Sequence, residues 1–567
     1  MEINLYDNQI SDIINGLSDV IRNDYISDNN NLQLYVGKEI IKSIDNKKYQ
    51  VIYGRRGTGK THLLKAYKEM LLNNFKQDKI YPIYIDLRRF LPVISNVNQN
   101  YVESAIIIFM NIVREIVDVL VRDVNFICDI NKFNKLFFKD ERKINSLKCL
   151  LKQFQYDFDG KAFEKVSEFD LSTEDVEKLE GNMKIGIGKD SKFESGINGQ
   201  YQYTEKQNSK NIRYITFSNI SKYIPQLLSI LEIERIVCIL DEWSEVKLDV
   251  QVFLSDLIKK AFITNPFTFK IAAIPNRTIL GKMVDREYIG LEDGGDIFPF
   301  NLDNRFIYEL EQEQTKDFFN DLLYTHLLNI DKKIGFNILQ NYSKGRFINL
   351  FFANKALREI LIASAGIPRD FISLFINSYD KFLINTSNRN KRIGVRDIRL
   401  ATIDWYKFDK EKQVNDIPNC KLLLREIINE IIIKKKKTHF LIPQKYSNNV
   451  YLNQLIDFRI IHLRKKGYSH KGNAGVVYDV YSIDYGCYIS VDVEQSKLDI
   501  DLINKIDSID NFREIRRVSL DDKFFDNLLL ESGEGFLCPH CKKPVNINHM
   551  AYRKQKICNN CFDKIEE

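Results

Sequence analysis

The chain has 567 residues, 44% of them hydrophobic and 28% charged, which suits a globular protein of roughly three or four domains. Its 83 basic and 77 acidic residues leave a net charge of only +6, so any affinity for nucleic acid has to come from local clustering. Met1 to Asp12 shows no basic region followed by an apolar core, and the most apolar run, Ala105 to Val121, is interrupted by Asn111, Arg114, Glu115 and Asp118; neither a secretory signal nor a membrane span is expected, and a cytoplasmic location is.

Residues up to about Asn31 form a helical preface, with Ile10, Ile13, Ile14, Leu17, Val20 and Ile21 at helical spacing. After LYVGKEIIKSI, from Leu34 to Ile44, comes YQVIYGRRGTGKTHLLKAY, from Tyr49 to Tyr67. It reads as a short apolar strand, a glycine-punctuated turn and an amphipathic helix, and Gly54, Gly59, Lys60 and Thr61 fit GxxxxGK[ST]. Backbone N–H groups along Gly54, Arg55, Arg56, Gly57, Thr58 and Gly59, with the positive end of the following helix, make a cradle for phosphate oxygens. Lys60 is expected to reach the β- and γ-phosphates and the Thr61 hydroxyl to ligate Mg²⁺. The bland alternative is a solvated Gly/Lys turn.

IYPIYIDL, from Ile80, has strand length, and helices run through Val102 to Val121. Between about Phe126 and Arg213 the pattern loosens into an acidic stretch, Asp157 to Glu180. Alternation of Met183, Ile185 and Ile187, then of Tyr201 and Tyr203, predicts a β-hairpin projecting from the core, either a contact for a neighbour or a tolerated surface excursion. RIVCILDEWSEV, from Arg235, carries five consecutive apolar residues, as a strand buried on both faces does. Asp241 and Glu242 emerge at its carboxyl end, where open α/β sheets bind ligands. Asp241 would hold Mg²⁺ through water, and Glu242 would polarise the water attacking the γ-phosphorus.

The strand Phe269 to Ile274 ends in Pro275, Asn276 and Arg277, and Asn276 can order that water or simply cap a turn. Arg286 lies before the next strand, Asp296 to Leu302. In an oligomer it is placed to act as an arginine finger on the neighbour's nucleotide, and an exposed salt-bridging arginine would look the same. AGIPRDF, from Ala365, opens a helix continuing to Phe382, and Arg369 at its start can fold onto the γ-phosphate.

The series GRRGTGKT, CILDEW, IAAIPNR and GIPRDF resembles the initiator branch of the AAA+ ATPases, the origin-recognition-complex-like proteins. It looks more closely like their bacterial relatives, which share ILDEWS (from Ile239), YIGLEDGGDIF (from Tyr288) and LIDFRIIH (from Leu455). The resemblance runs from about residue 30 to 520. It implies an α/β P-loop NTPase core with a five-stranded parallel sheet at 34–300, interrupted by the insertion at about 126–213, then a helical lid at 301–388 and a winged helix at 389–530. Val36 and Gly37 of the VGKE segment become candidates for adenine contact, although the segment alone is equally a helix start. The long insertion and a terminal cysteine module depart from the family pattern.

From about Arg396 the chain reads helix, helix, helix and hairpin, with Val476 to Ile489 alternating like a wing strand. Lys434, Lys435, Lys436, Lys437, Lys445, Arg459, Arg464, Lys465, Lys466 and Lys471, with Asp457 the only acid, predict a positive surface able to follow duplex DNA. A protein-binding winged helix and a solvated helix end remain alternatives. In 531–567, Cys538, Cys541, Cys558 and Cys561 form CPHC…CNNC, two thiolate knuckles that close a tetrahedral Zn²⁺ site. Cys128, Cys149, Cys238, Cys420 and Cys487 are scattered, as reduced thiols are.

The expected protein is a slow, regulatory ATPase using ATP/ADP, Mg²⁺ and Zn²⁺. It couples nucleotide state to double-stranded DNA through the winged helix and ribbon, as a homo-oligomer or with a protein partner. The competing expectation is a signalling or defence scaffold that recruits a protein effector.

Overall fold

The computed structural model describes residues 2–21, 30–94, 101–127, 145–147, 149–150, 183–187, 191–195, 200–207, 209–284, 286–303, 305–384, 391–469, 475–491 and 516–565. The acidic stretch 157–180 and Lys471 lie outside them. The chain divides into two units: a sheet unit, Ile26–Gly54 with Lys60–Leu302, and a carboxyl-terminal unit that joins Met1–Tyr25 and Arg55–Gly59 to Asp303–Glu567.

The sheet unit contains β1 (Gln50–Tyr53), β2 (Ile80–Asp86), β3 (Met183–Ile187), β4 (Ser191–Ser195), β5 (Gln200–Gln207), β6 (Ser209–Thr216), β7 (Arg235–Asp241), β8 (Phe267–Ala273), β9 (Gly281–Val284), β10 (Glu287–Gly290) and β11 (Phe298–Asn301). Five of these make one parallel sheet in the order β11-β1-β8-β7-β2. Parallel neighbours need crossovers, supplied here by helices such as Lys60–Asp78 and Leu248–Phe262. The crossovers cover the sheet, so β8 is buried at every position and β7 at all but the first. Phe109, Phe262, Phe269 and Ile236 share the resulting core.

Lys270 is the charged residue in β8. It is tolerated because its ammonium donates to Asn46 O (3.2 Å), Lys48 O (3.0 Å) and Gln50 Oε1 (2.5 Å). The inserted segment is larger than the predicted hairpin: β3 to β6 pair antiparallel, in sequence, as a four-stranded sheet. The expectation rested on two alternating runs. Ser191–Ser195, with one apolar residue, and Ser209–Thr216, whose Ile212 and Tyr214 alternate outside those two runs, also pair.

In the carboxyl-terminal unit, the helix Asn8–Asn15 contributes Ile10, Ile13 and Ile14 to the interior, and the Tyr379 hydroxyl donates to Leu5 O at 2.7 Å. Helix Pro368–Ile384 opens on proline, whose missing N–H costs nothing at the first turn. Further on, helix Pro418–Ile427, β12 (His439–Pro443), helix Val450–Asp457, β13 (Ile461–Ser469) and β14 (Val477–Ile483) form a helix-backed antiparallel sheet in the order β12-β14-β13. β15 (Gly535–Leu537) and β16 (Pro544–Asn546) are the small hairpin of the cysteine module. Among the described residues no helix is long and apolar enough to cross a membrane.

Candidate functional site

Three neighbouring strands of the sheet unit deliver the sequence-predicted residues. β1 runs into the phosphate loop, and the Gly54 N–H donates to Ala273 O at the end of β8 at 3.1 Å. β8 then turns through Pro275–Arg277, which carries Asn276. β7, on the far side of β8, ends at Asp241 and passes into Glu242. The loop start, Asn276 and the acid pair therefore leave the carboxyl ends of adjacent parallel strands, where such a sheet binds ligands.

Asp241 is 1% exposed, and both its oxygens are held. The Tyr84 hydroxyl, from β2, donates to Oδ2 at 2.6 Å, and the Glu242 N–H donates to Oδ1 at 2.8 Å. Each oxygen keeps a further acceptor direction, so an oriented buried carboxylate of this kind fits a hydrated divalent cation. Glu242 takes a left-handed backbone, φ 58°. Burial raises its carboxyl above the ordinary range and Asp241 adds to the rise, while Arg88 and Lys60 oppose it. Arg88 Nη1 lies 3.9 Å from Glu242 Oε1 and is itself steadied by Asp86 at 2.6 Å.

Gln251 joins the turns that follow β7 and β8. Its amide nitrogen donates to Val246 O (2.7 Å) and Arg277 O (3.0 Å), and its oxygen accepts from Trp243 Nε1 (3.1 Å) and the Ile279 N–H (2.9 Å). One fully buried side chain thus fixes the segment after Glu242 against the segment after Asn276. Its signal was available in the sequence: a glutamine on an apolar helix, DVQVFLSDLI, has to find partners when buried.

Lys60 opens the helix Lys60–Asp78 and its Nζ donates to Gly54 O at 2.6 Å; Thr61 follows, half-buried. Val36 and Gly37 precede the helix Lys38–Ile44, with Gly37 at φ 91°. The segment before them is tied to the phosphate-loop helix by Leu32 N–H to Glu69 (2.9 Å), by His62 Nε2 with Asn31 O (3.0 Å) and by an edge contact of Tyr35 with His62. Burial holds His62 down to about 4, so it serves as a neutral strut. Arg286 is exposed beside the β9–β10 turn with φ 75°.

The middle of the phosphate loop lies in the carboxyl-terminal unit. Gly57 and Gly59 have φ of 90° and 89°, the alternation that aims successive N–H groups inward. A side chain at Gly57 would place its Cβ 2.9 Å from the Arg369 Cβ, and the Arg369 N–H donates to Gly57 O at 3.3 Å. Thr58 Oγ1 donates to Arg55 O at 2.9 Å, and Arg56 is exposed. Arg55, expected among the phosphate contacts, is 5% exposed and engaged elsewhere. Its N–H and Nε donate to Asp303 Oδ1 at 2.7 and 3.2 Å, and Nη1 donates to His462 Nδ1.

The predicted basic surface shrinks in the structure. Arg459 is buried against Asp370 and Asp409 (2.5 Å to the latter), and Arg464 against Glu309 and Ser482. Both belong to the interior because each meets a carboxylate from a distant part of the chain. Lys434 and Lys435 share Glu430, and Lys445 meets Asp522 at 2.7 Å. Lys465 and Lys466 on β13 are exposed, as are Lys542, Lys543, Arg553, Lys554 and Lys556 of the cysteine module.

The four predicted cysteines do converge. All their Sγ atoms lie within 4.8 Å of one another, with Cys538–Cys561 and Cys541–Cys558 each at 3.8 Å. A tetrahedron of ~2.3 Å Zn–S bonds has an edge of about 3.8 Å, so the set fits Zn²⁺. The two knuckles repeat one geometry: Lys542 N–H to Cys538 O at 3.0 Å, and Phe562 N–H to Cys558 O at 3.0 Å, with left-handed Lys542 and Phe562.

Residues 21–154 match the family model of the bacterial DnaA ATPase domain. Among solved structures, the chain is similar to the Orc1 protein of Aeropyrum pernix in complex with DNA, at 11% identity over 83% of this chain and 94% of that one, TM-score 0.29. It is also similar to Drosophila ORC bound to DNA, at 10% identity over 83% and 92%, TM-score 0.26. RuvB of Thermotoga maritima matches at 14% identity over 49% and 76%, TM-score 0.21. No curated protein matches the sequence.

Proposed function

Since residues 21–154 match the bacterial DnaA ATPase domain, we propose that the chain is an ATP-driven switch of the AAA+ initiator kind, whose nucleotide state sets how the β12–β14 domain and the cysteine module engage duplex DNA. The observation that carries this is the emergence of the loop start, Asn276 and Asp241–Glu242 from adjacent strand ends of one parallel sheet. In this reading the loop N–H groups and Lys60 hold the β- and γ-phosphates, and Val36 and Gly37 face adenine. Thr61 and Asp241 would hold Mg²⁺, and the ion's charge would offset that of the phosphates. Glu242 polarises the attacking water, Asn276 orders it, and Arg369 reports the γ-phosphate to the lid. Arg286 reaches a neighbouring copy's nucleotide. The boundaries 1–33, 34–300, 301–388, 389–530 and 531–567 stand as the proposed division into preface, core, lid, winged helix and ribbon. Hydrolysis is slow and regulatory.

The test is nucleotide and duplex binding by the full chain. Fluorescent ATP should bind wild type and fail on Lys60→Ala, and duplex affinity should differ between ATP and ADP. Log affinity should fall with log salt by ~0.9 per phosphate contact. Wild type that binds ATP but no duplex at low salt in either state ends the DNA reading. The burial of Arg459 and Arg464, with Lys434, Lys435 and Lys445 in ion pairs, favours a second reading: a protein effector as the partner. A stoichiometric protein partner whose capture survives nuclease treatment supports that alternative.

A further inference from the structure

Within the carboxyl-terminal unit, a buried ring of polar contacts starts and ends on the phosphate loop. Arg55 Nη1 donates to His462 Nδ1 on β13, so His462 carries its proton on Nε2, which donates to Asp484 Oδ2 at 3.1 Å. Asp484 Oδ2 also accepts from Lys410 Nζ at 2.7 Å. Lys410 lies 3.8 Å from Asp370 Oδ2, and Arg459 pairs with both Asp370 and Asp409. Asp370 directly follows Arg369, whose N–H returns to Gly57 O. Arg55, His462, Lys410, Asp370 and Asp484 are all 5% exposed or less, and Arg459 is 9% exposed.

A ring like this is costly to assemble unless every member stays paired, because one buried charge left alone loses several kcal/mol of solvation. It therefore has few intermediate arrangements: a shift of the loop at Arg55 has to be followed at His462 or the contacts break. The imidazole is the weakest joint in electrostatic terms, being neutral, yet it is the piece that joins a cation in the loop to an anion beside β14. Desolvation keeps His462 well below its ordinary range, with Arg55 and Arg464 acting in the same sense against Asp484. Lys410, Tyr488 and Glu309 are the other ionisable groups around this pocket.

We propose that His462 is a positioning residue for the phosphate loop: acting through Arg55, it makes the β12–β14 domain a direct mechanical partner of nucleotide binding. The inference rests on the ATP-switch reading above and supplies its route. The Arg55 side chain then anchors the loop, while the neighbouring N–H groups are left to phosphate. Movement of the loop on ATP binding reaches Ile461–Ile483 through two hydrogen bonds and no intervening segment.

The test combines fluorescent-ATP titration with hydrogen exchange of 461–483 in the full chain, with and without ATP. Wild type should change its exchange across β13 and β14 by more than about threefold on ATP addition. His462→Leu, which removes both bonds, should still bind ATP within about tenfold of wild type and show no change at β13. His462→Gln, able to accept from Arg55 and donate to Asp484, should restore it. A purely packing role would let leucine do as well as glutamine. If the leucine variant does not fold, His462→Met, a more adaptable side chain that likewise supplies no ring nitrogen to Arg55 or Asp484, makes the same comparison. Wild type that binds ATP with β13 unchanged, or a leucine variant that still transmits the change, overturns the inference alone. Wild type that binds no ATP overturns the ATP-switch reading with it.

Discussion

Glu242 is held in tension between burial beside Asp241, which favours its protonated form, and Arg88 and Lys60, which favour its charged form. Only the carboxylate can polarise water, so the acid limb of hydrolysis should lie above the pH at which a solvated glutamate titrates. Arg88→Met removes a cation that lowers the Glu242 pKa, so the limb should move to still higher pH, with activity at high pH less affected. A pH profile of single-turnover hydrolysis reads this, and an unmoved limb would rule out Glu242 as the titrating base. Glu242→Gln should retain ATP and lose most of the rate in the same assay. At this scale, placements that depend on close spacing were legible: the turn from Gly54 to Thr61 between a strand and a helix, Asp241 with Glu242 at a strand end, and the convergence of the cysteine pairs. Tyr84 and His462 were not, because their partners lie 157 and 407 positions away, a distance over which one sequence shows no pattern.

Elements were read well where periodicity was strong. The strand from Arg235 and the helix across Val102 to Val121 appear as Arg235–Asp241 and Tyr101–Arg122. They failed where polarity hid the pairing, as in β4, and where a charge signalled a surface that the fold instead buried, as at Arg459 and Arg464. The cysteine module makes the sharpest element-scale prediction. Its interior is Val545, Ile565 and the thiols, flanked by Phe536 and Tyr552, far too small to fold unaided. Metal should supply its folding energy, on the order of 10 kcal/mol. Chelator treatment, or Cys541→Ser with Cys558→Ser, should abolish protection from exchange across β15 and β16 while leaving the parallel sheet's protection intact. Chelation with no change at the hairpin would contradict the zinc assignment.

Across the whole molecule, the first twenty or so residues are held by the carboxyl-terminal unit. Leu5, Ile10, Ile13, Ile14 and Leu17 are buried there, and Tyr6 packs 4.9 Å from Phe382. Each such side chain is worth roughly 1.5–3 kcal/mol when fully buried. Removing residues 2–21 should therefore lower the melting temperature by more than ten degrees and increase exchange along Gln312–Ile334. Retained stability would show that this packing contributes little.

Arg55 of the phosphate loop meets Asp303 and, much further along the chain, His462. A growing chain therefore carries this turn through some four hundred further residues before the imidazole that steadies it exists. A product cut short before that point carries the nucleotide motif without the Arg55–His462 contact, so on the inference above it would hold nucleotide with nothing for the loop to move.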